Sequence, residues 1–315
     1  MEITLELRIL KIYRYGEKIE YLNPSLALGN FDGMHLGHIE VINKAKEIGD
    51  FWGVLLFDTE NSPLSRHNAD ILTDIDEKVE ILSDLGLDFV YIVPFVESFM
   101  NMSGEEFAGF LSQIGAKHII VGYDYRCSKG ASLDADGLSE LLKNFDITCD
   151  VVKPYMIDES VVKSTAVREL LKAGDIKKAN RMLLFPYSIS GKITHGLKNG
   201  RDMGFPTANI KPNKNVLLPD GVYLARVYVN DGIYKSVVNI GKNPTFDAKI
   251  RTIEAHIIDY NSDIYGENIK VEFLEKIRGE IKFSSVEDLI SQISKDVAYA
   301  LSKDINNIGR KSRCI

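Results

Sequence analysis

Gly29-Asn30-Phe31-Asp32-Gly33-Met34-His35-Leu36-Gly37-His38 follows the apolar Leu26, Ala27 and Leu28 and runs into an amphipathic segment from Ile39 to Ile48. Here a strand hands over to a helix through a turn carrying two histidines bracketed by glycines. Such a turn suits a phosphate chain. Free backbone N–H groups and the positive end of the helix dipole face the anion. Glycine lets a ligand approach the backbone closely, and imidazoles add donors that strengthen as charge develops on the phosphates. The bland alternative is a glycine turn with two surface histidines.

The bulk composition narrows the class. The 315 residues are enough for two domains with separate cores, and 45% hydrophobic with 26% charged residues is ordinary for a globular chain. A net charge of −7 without a basic stripe interleaved with aromatics argues against nucleic acid as the main partner. Cys127, Cys149 and Cys314 are too widely spaced for a disulfide framework or a structural zinc site. The start, Met1-Glu2-Ile3-Thr4-Leu5-Glu6, lacks the regions of a signal peptide, and no apolar run reaches bilayer length. A cytoplasmic location and no membrane partner are expected.

Working outward, the first half alternates strand and helix patterns. Trp52–Phe57, Phe89–Val93 and Lys117–Val121 read as strands. Ile75–Leu85 and Gly137–Lys143 read as helices, and Ser103-Gly104-Glu105-Glu106 is a capping box that opens a helix to Ile114. This alternation predicts a parallel sheet covered on both faces, with ligands at the carboxyl ends of its strands. Two short helical patterns follow, Ser164–Ala173 and Asp175–Leu184. After Pro186 the chain turns to β-branched and aromatic runs: Ser188–Thr194, Gly221–Val229, Tyr234–Ile240, Thr252–Asp259 and Ile269–Phe273. Asn230-Asp231-Gly232 is a hairpin signal. The spacing predicts a small antiparallel barrel, followed by a helix capped by Ser284-Ser285-Val286-Glu287 and running to about Lys303.

A second cluster, Gly200-Arg201-Asp202-Met203-Gly204-Phe205-Pro206-Thr207-Ala208-Asn209, puts a hydroxyl and an amide two residues apart on an extended segment, hence on one face. These are hard oxygen donors suited to Mg2+ together with nucleotide phosphate; the alternative is a turn satisfying its own backbone. Thr252, Glu254 and His256 also share a face, and Glu254 could accept a proton from a substrate hydroxyl or simply be a solvated edge-strand residue. His195 flanks the glycine-rich segment; His67 and His118 lack sequence partners that would make them ligands.

His35-Leu36-Gly37-His38 resembles the HxGH signature of nucleotidyltransferases. Taken together, the two halves resemble the bacterial bifunctional riboflavin kinase/FAD synthetase family over nearly the whole chain. In the second half the likeness rests on Gly200-Arg201, Gly204-Phe205-Pro206-Thr207-Ala208-Asn209, Leu218-Pro219, Gly221-Val222-Tyr223, Asn239-Ile240-Gly241, Pro244-Thr245-Phe246, Glu254, His256, Asp263, Tyr265-Gly266, Arg278 and Lys282-Phe283. In the first half it rests on Asn30, Asp32, His35, Gly37, His38, on Val121-Gly122-Tyr123-Asp124-Tyr125 with Lys129-Gly130, and on Ser164, Thr165 and Arg168.

The resemblance implies a Rossmann-like nucleotidyltransferase (FMN adenylyltransferase) domain over 1–185, a riboflavin kinase barrel of six strands with a carboxyl-terminal helix over 186–305, and a polar tail over 306–315. It implies phosphorylation of riboflavin to FMN with Mg2+ and ATP, then adenylylation of FMN to FAD, flavins being substrate and product. Thr207 and Asn209 would hold the metal and ATP beside Gly200 and Arg201. Glu254 would deprotonate the ribityl terminal hydroxyl, and Arg278 would sit near flavin and nucleotide. His35, His38 and Arg168 would act in adenylyl transfer, with Asn30, Asp32, Gly37, Asp124, Ser164 and Thr165 around the nucleotide.

The chain departs from the family pattern at three places. It reads Phe57-Asp58-Thr59-Glu60-Asn61-Ser62-Pro63 where a Pro-His-Pro element is usual, Cys127 where a second aromatic is usual, and Lys163-Ser164 where two serines are usual. The first two segments are expected near the flavin ring. The alternative expectation is therefore a riboflavin kinase whose first domain uses FMN poorly or adenylylates another acceptor.

Overall fold

A computed structural model describes residues 9–58, 70–195, 203–230, 232–242 and 251–305. The described residues form two compact units, one of residues 9–58 and 73–163 and one of residues 70–72 and 164–305.

The first unit runs β1 (Lys11–Arg14), β2 (Ser25–Leu28), α1 (Leu36–Ile48), β3 (Trp52–Asp58), α2 (Ile75–Asp84), β4 (Phe89–Pro94), α3 (Glu97–Met100), α4 (Gly104–Gln113) and β5 (His118–Gly122). After β5 come the short β6 (Arg126–Cys127) and β7 (Leu133–Asp134), α5 (Ala135–Leu142), β8 (Thr148–Val152) and the hairpin β9 (Met156–Ile157) and β10 (Ser160–Val161). The sheet order is β1-β4-β3-β2-β5-β8, with every pairing parallel. β2 is buried at all four positions, as expected of a central parallel strand covered on both faces. Successive connections run from β2 to β3 and β4 on one side and from β5 to β8 on the other. The crevice at the carboxyl ends of β2 and β5 is therefore the switch point where such sheets bind ligands. The Ser103 capping box forms as expected, and α2 carries one too, on Asp74 and Glu77. β1 and β8 were not anticipated. Each is an edge strand with exposed positions, so neither shows the continuous apolar run of a buried strand.

The second unit opens with α6 (Ser164–Ala173) and α7 (Ile176–Met182), then β11 (Ser188–Thr194), β12 (Ala208–Pro212), β13 (Gly221–Val229), β14 (Gly232–Lys242), β15 (Arg251–Ile257) and β16 (Asn268–Arg278), and ends in α8 (Val286–Leu301). The six strands close into an antiparallel barrel in the order β11-β12-β15-β14-β13-β16. Its interior is apolar; Ile189, Val227, Val238, Ile240, Ala255 and Phe273 are fully buried. α7 packs on β16, with Asn180 donating to the Phe273 carbonyl at 2.9 Å and accepting from the Tyr187 N–H at 2.9 Å. Residues 70–72 join this unit because Lys214 Nζ donates to the Leu72 carbonyl and Arg168 Nε to the Asp70 carbonyl, both at 2.7 Å. Val229 pairs with Gly232 across the expected hairpin, whose Asp231 lies outside the described residues. The tail 306–315, Pro244-Thr245-Phe246, His67 and the departure at Thr59–Pro63 lie outside them too. Among the described residues no helix is long and apolar enough to cross a membrane.

Candidate active sites

In the first unit the loop after β2 is wound tightly. Phe31, Gly33 and Met34 all adopt positive φ, at 48°, 86° and 42°, and the side chains of Phe31 and Met34 are buried beneath it. Non-glycine residues hold that conformation only where their surroundings over-determine it. Here the anchors are the Thr73 N–H, which donates to Asp32 Oδ1 at 3.0 Å, and Thr73 Oγ1, which accepts from the Gly33 N–H at 2.6 Å. Asp32 is thus a buried strut of the loop.

His35 is the N-cap of α1; its Nδ1 accepts from the His38 N–H at 3.2 Å, so Nε2 is the ring nitrogen left to donate. The rings of His35 and His38 stack with centroids 3.5 Å apart and planes 17° apart. Gly37 makes this possible, because a Cβ there would lie 3.2 Å from His35 Nδ1 and from the Val162 carbonyl. His38 is held well below the ordinary histidine pKa, by burial first and then by the charges of His35 and Lys78. Its Nδ1 is buried without a hydrogen-bond partner among the described residues. Stacked at a helix N-terminus, the two imidazoles can offer ring N–H groups to an anion.

Asn30, exposed at the rim of this loop, also lines a cavity of about 280 Å³ walled by Phe57, Phe95, Phe99, Phe107, Tyr125 and Cys127. The walls are flat and apolar, and Arg126 and Ser128 stand among its lining residues. Burial pushes the Cys127 thiol up to about 11, so it is neutral at physiological pH. Cys127 and Cys149 are free thiols. Asp124 is exposed just after β5.

In the second unit one register row crosses the barrel wall. Arg278 pairs with Val222 beside a bulge, Val222 with Asn239, Asn239 with Glu254, and Glu254 with Asn209. Because Ile253, Ala255, Val238 and Ile240 point into the barrel, this row lies on its outer face. Thr207 stands two residues before Asn209, just ahead of β12. Burial pushes the Glu254 carboxyl above the usual carboxylate range. His256 Nδ1 lies 2.9 Å from the Pro206 carbonyl, which fixes the turn leading to Thr207. That turn borders a cavity of about 190 Å³, lined also by Ile193, Ala255, Tyr260, Asp263 and Tyr265. His195 stacks at 4.1 Å on Tyr265 next to it.

Family models agree with both halves. The FAD synthetase model matches residues 19–166 and the riboflavin kinase model residues 183–303. The bifunctional riboflavin kinase/FMN adenylyltransferase of Listeria monocytogenes is 35% identical over 286 residues, which cover 87% of this chain and 90% of that protein. This chain belongs to that family. The Bacillus subtilis member is 33% identical over 296 residues, covering 90% of this chain and 93% of its own length. A solved chain named as a macrolide-efflux protein from Streptococcus pneumoniae superposes with a TM-score of 0.81 at 28% identity, covering 94% of this chain and 100% of its own.

The residues singled out by the family likeness in the first half belong to both units. Asn30, Asp32, His35, Gly37 and His38 share the loop after β2, while Ser164, Thr165 and Arg168 open α6 in the second unit. Arg168 Nε is committed to the Asp70 carbonyl. Gly200 and Arg201 lie outside the described residues. Asn239 joins the row with Glu254 although the sequence did not single it out. Its only sequence signal was its place in Asn239-Ile240-Gly241, and pairing opposite Glu254 is a register fact that no local pattern encodes.

Proposed function

We propose that the chain converts riboflavin to FMN in its barrel part and FMN to FAD in its α/β part, the functional division lying at residue 185. The observation that carries the first step is the outer-face row, with Glu254 between Asn209 and Asn239. Glu254 accepts the proton of the ribityl terminal hydroxyl as that hydroxyl's oxygen attacks the γ-phosphorus of ATP and ADP leaves. Its raised pKa makes it a better base than an exposed carboxylate. Thr207 and Asn209 offer neutral hard oxygens rather than a carboxylate cage, and no cluster of His, Cys, Asp or Glu suited to a metal occurs among the described residues. That donor set fits Mg2+ carried on the nucleotide phosphates, where it would neutralise charge. Arg278 stands at the far end of the row, near the flavin and the nucleotide in this reading.

The second step rests on the aromatic cavity beside Asn30. Its flat walls suit an isoalloxazine ring, and they lie at the switch-point edge that carries the histidine pair. The FMN phosphate attacks the α-phosphorus of ATP, and pyrophosphate leaves. His35 and His38 donate to the phosphate oxygens as charge builds there. Ser164, Thr165, Arg168 and Asp124 enter through the family likeness. A cytoplasmic location, small-molecule partners and no nucleic-acid partner belong to the same proposal.

The test is a pair of variants fed with either flavin. Glu254→Gln should fail with riboflavin yet convert FMN to FAD; His35→Ala should accumulate FMN and stop. Loss of both steps in either variant would contradict the assignment.

A further inference from the structure

We infer that Asp296 on α8 is a positioning residue of the kinase site, clamping Arg278 at the end of the row that carries Glu254. The inference rests on the kinase reading of that row. Asp296 is 2% exposed, and its two carboxylate oxygens take Arg278 Nε at 2.9 and 3.2 Å and the Nη2 nitrogen at 2.8 Å. Gln292, one turn earlier, donates its side-chain amide to Asp296 Oδ1 at 2.9 Å. Arg278 Nη1 donates to the Gly279 carbonyl at 3.1 Å, and the guanidinium lies 5.9 Å from the Phe283 ring centroid. A guanidinium has five N–H donors in a fixed fork. Here one edge is locked to the helix, and each terminal nitrogen keeps a further N–H unengaged among the described residues.

The surroundings make this pair more than a fastener. α8 docks through Val297 and Ala300 onto Val222, Leu224, Val237 and Leu274, so the helix face next to Asp296 is largely apolar. An apolar residue at 296 would suit that face. Replacing a buried ion pair by well-packed apolar groups is often neutral or stabilising, whereas removing one partner strands the other charge. What the pair supplies is geometry. Val222, covered by α8, lies in register with Arg278 on one side and Asn239 on the other, and Asn239 faces Glu254. The segment after Arg278 turns back toward the same row, since a Cβ on Gly241 would lie 2.7 Å from Glu280 Oε1. α8 is thereby a wall of the site, and Asp296 sets the direction in which Arg278 offers its remaining donors.

The experiment is a double-mutant cycle on the full chain, with Asp296→Asn, Arg278→Met and the double variant. It measures riboflavin phosphorylation and, separately, FMN adenylylation in the same preparations. Asp296→Asn should lower kinase kcat/KM about 10- to 100-fold, as loss of a charge-assisted clamp does. Arg278→Met should do the same, and the double variant should be no worse than the worse single. FMN adenylylation should be unchanged in all three. Asp296→Glu should recover part of the kinase rate. If Asp296→Asn does not fold, Gln292→Ala removes one donor from the clamp and should cost about 2- to 5-fold in the kinase step alone. Kinase kinetics unchanged by Asp296→Asn, additive losses in the cycle, or equal loss of both activities would overturn the inference. A parent chain without kinase activity would instead overturn the kinase reading, and the inference with it.

Discussion

Glu254 lies directly across from Asn209 in the register of β15 and β12, on the outer wall of the barrel. An ionisable group and a hard oxygen donor thus meet on neighbouring strands from positions 45 residues apart in the sequence (254 − 209). Removing the carboxylate without changing its shape tests what that meeting does. Glu254→Gln should lower kcat for riboflavin phosphorylation by about 10²- to 10⁴-fold, the usual worth of a general base. Steady-state kinetics should show FMN adenylylation at its parent rate.

The same carboxylate sets a pH dependence. Burial raises the Glu254 pKa, so the base form is lost at a higher pH than for an exposed glutamate. The kinase rate should therefore hold at neutral pH and fall on acidification, with its inflection above the ordinary glutamate value. A pH–kcat/KM profile with an inflection at or below that value would count against Glu254 as the base.

His38 behaves in the opposite sense. Its pKa is depressed in the folded chain, so the folded state resists taking up a proton that the unfolded chain binds readily below about 6.5. The stability of the first unit should be fully present above that pH and decline as pH falls below it. Denaturant unfolding at pH 5 and pH 7.5 should show a smaller pH difference in His38→Asn than in the parent chain.

The aromatic cavity predicts a binding effect. Phe57 meets Phe95 and Phe99 edge-on with centroids 6.1 and 5.7 Å away. Phe57→Ala should raise KM for FMN about 10-fold, as expected for losing a large apolar contact. Riboflavin phosphorylation should be untouched. Because the Cys127 thiol titrates at about 11, iodoacetamide at pH 7.5 should label it slowly.

Stability of the parallel sheet hinges on Gly53 in β3, where a Cβ would collide with the Phe89 carbonyl and ring. Gly53→Ala should cost about 1–3 kcal/mol, the usual penalty of overpacking. A shift in the urea midpoint checks it.

Much of this was legible in the sequence wherever one residue pattern dictates one structure. Gly29–His38 announced a strand, a tight turn and a helix start, and the structure has His35 as the N-cap. Ser103 and Glu106 announced their capping box. The β-branched runs after Pro186 announced five of the six barrel strands, all but β12, although β14 and β16 run past the expected limits of Ile240 and Phe273. Edge strands β1 and β8 escaped because exposure on one side breaks up the apolar run. Asn239 and Asp296 escaped for a different reason. Their positions beside Glu254 and Arg278 come from cross-strand register and from helix docking, which join residues far apart in sequence.

The most direct measurement of the central claim is a time course of the purified chain with riboflavin, ATP and Mg2+, resolving riboflavin, FMN and FAD by chromatography. The account predicts that FMN rises first and is then consumed as FAD appears. FMN that accumulates with no FAD, or riboflavin left unchanged by folded protein, would contradict it.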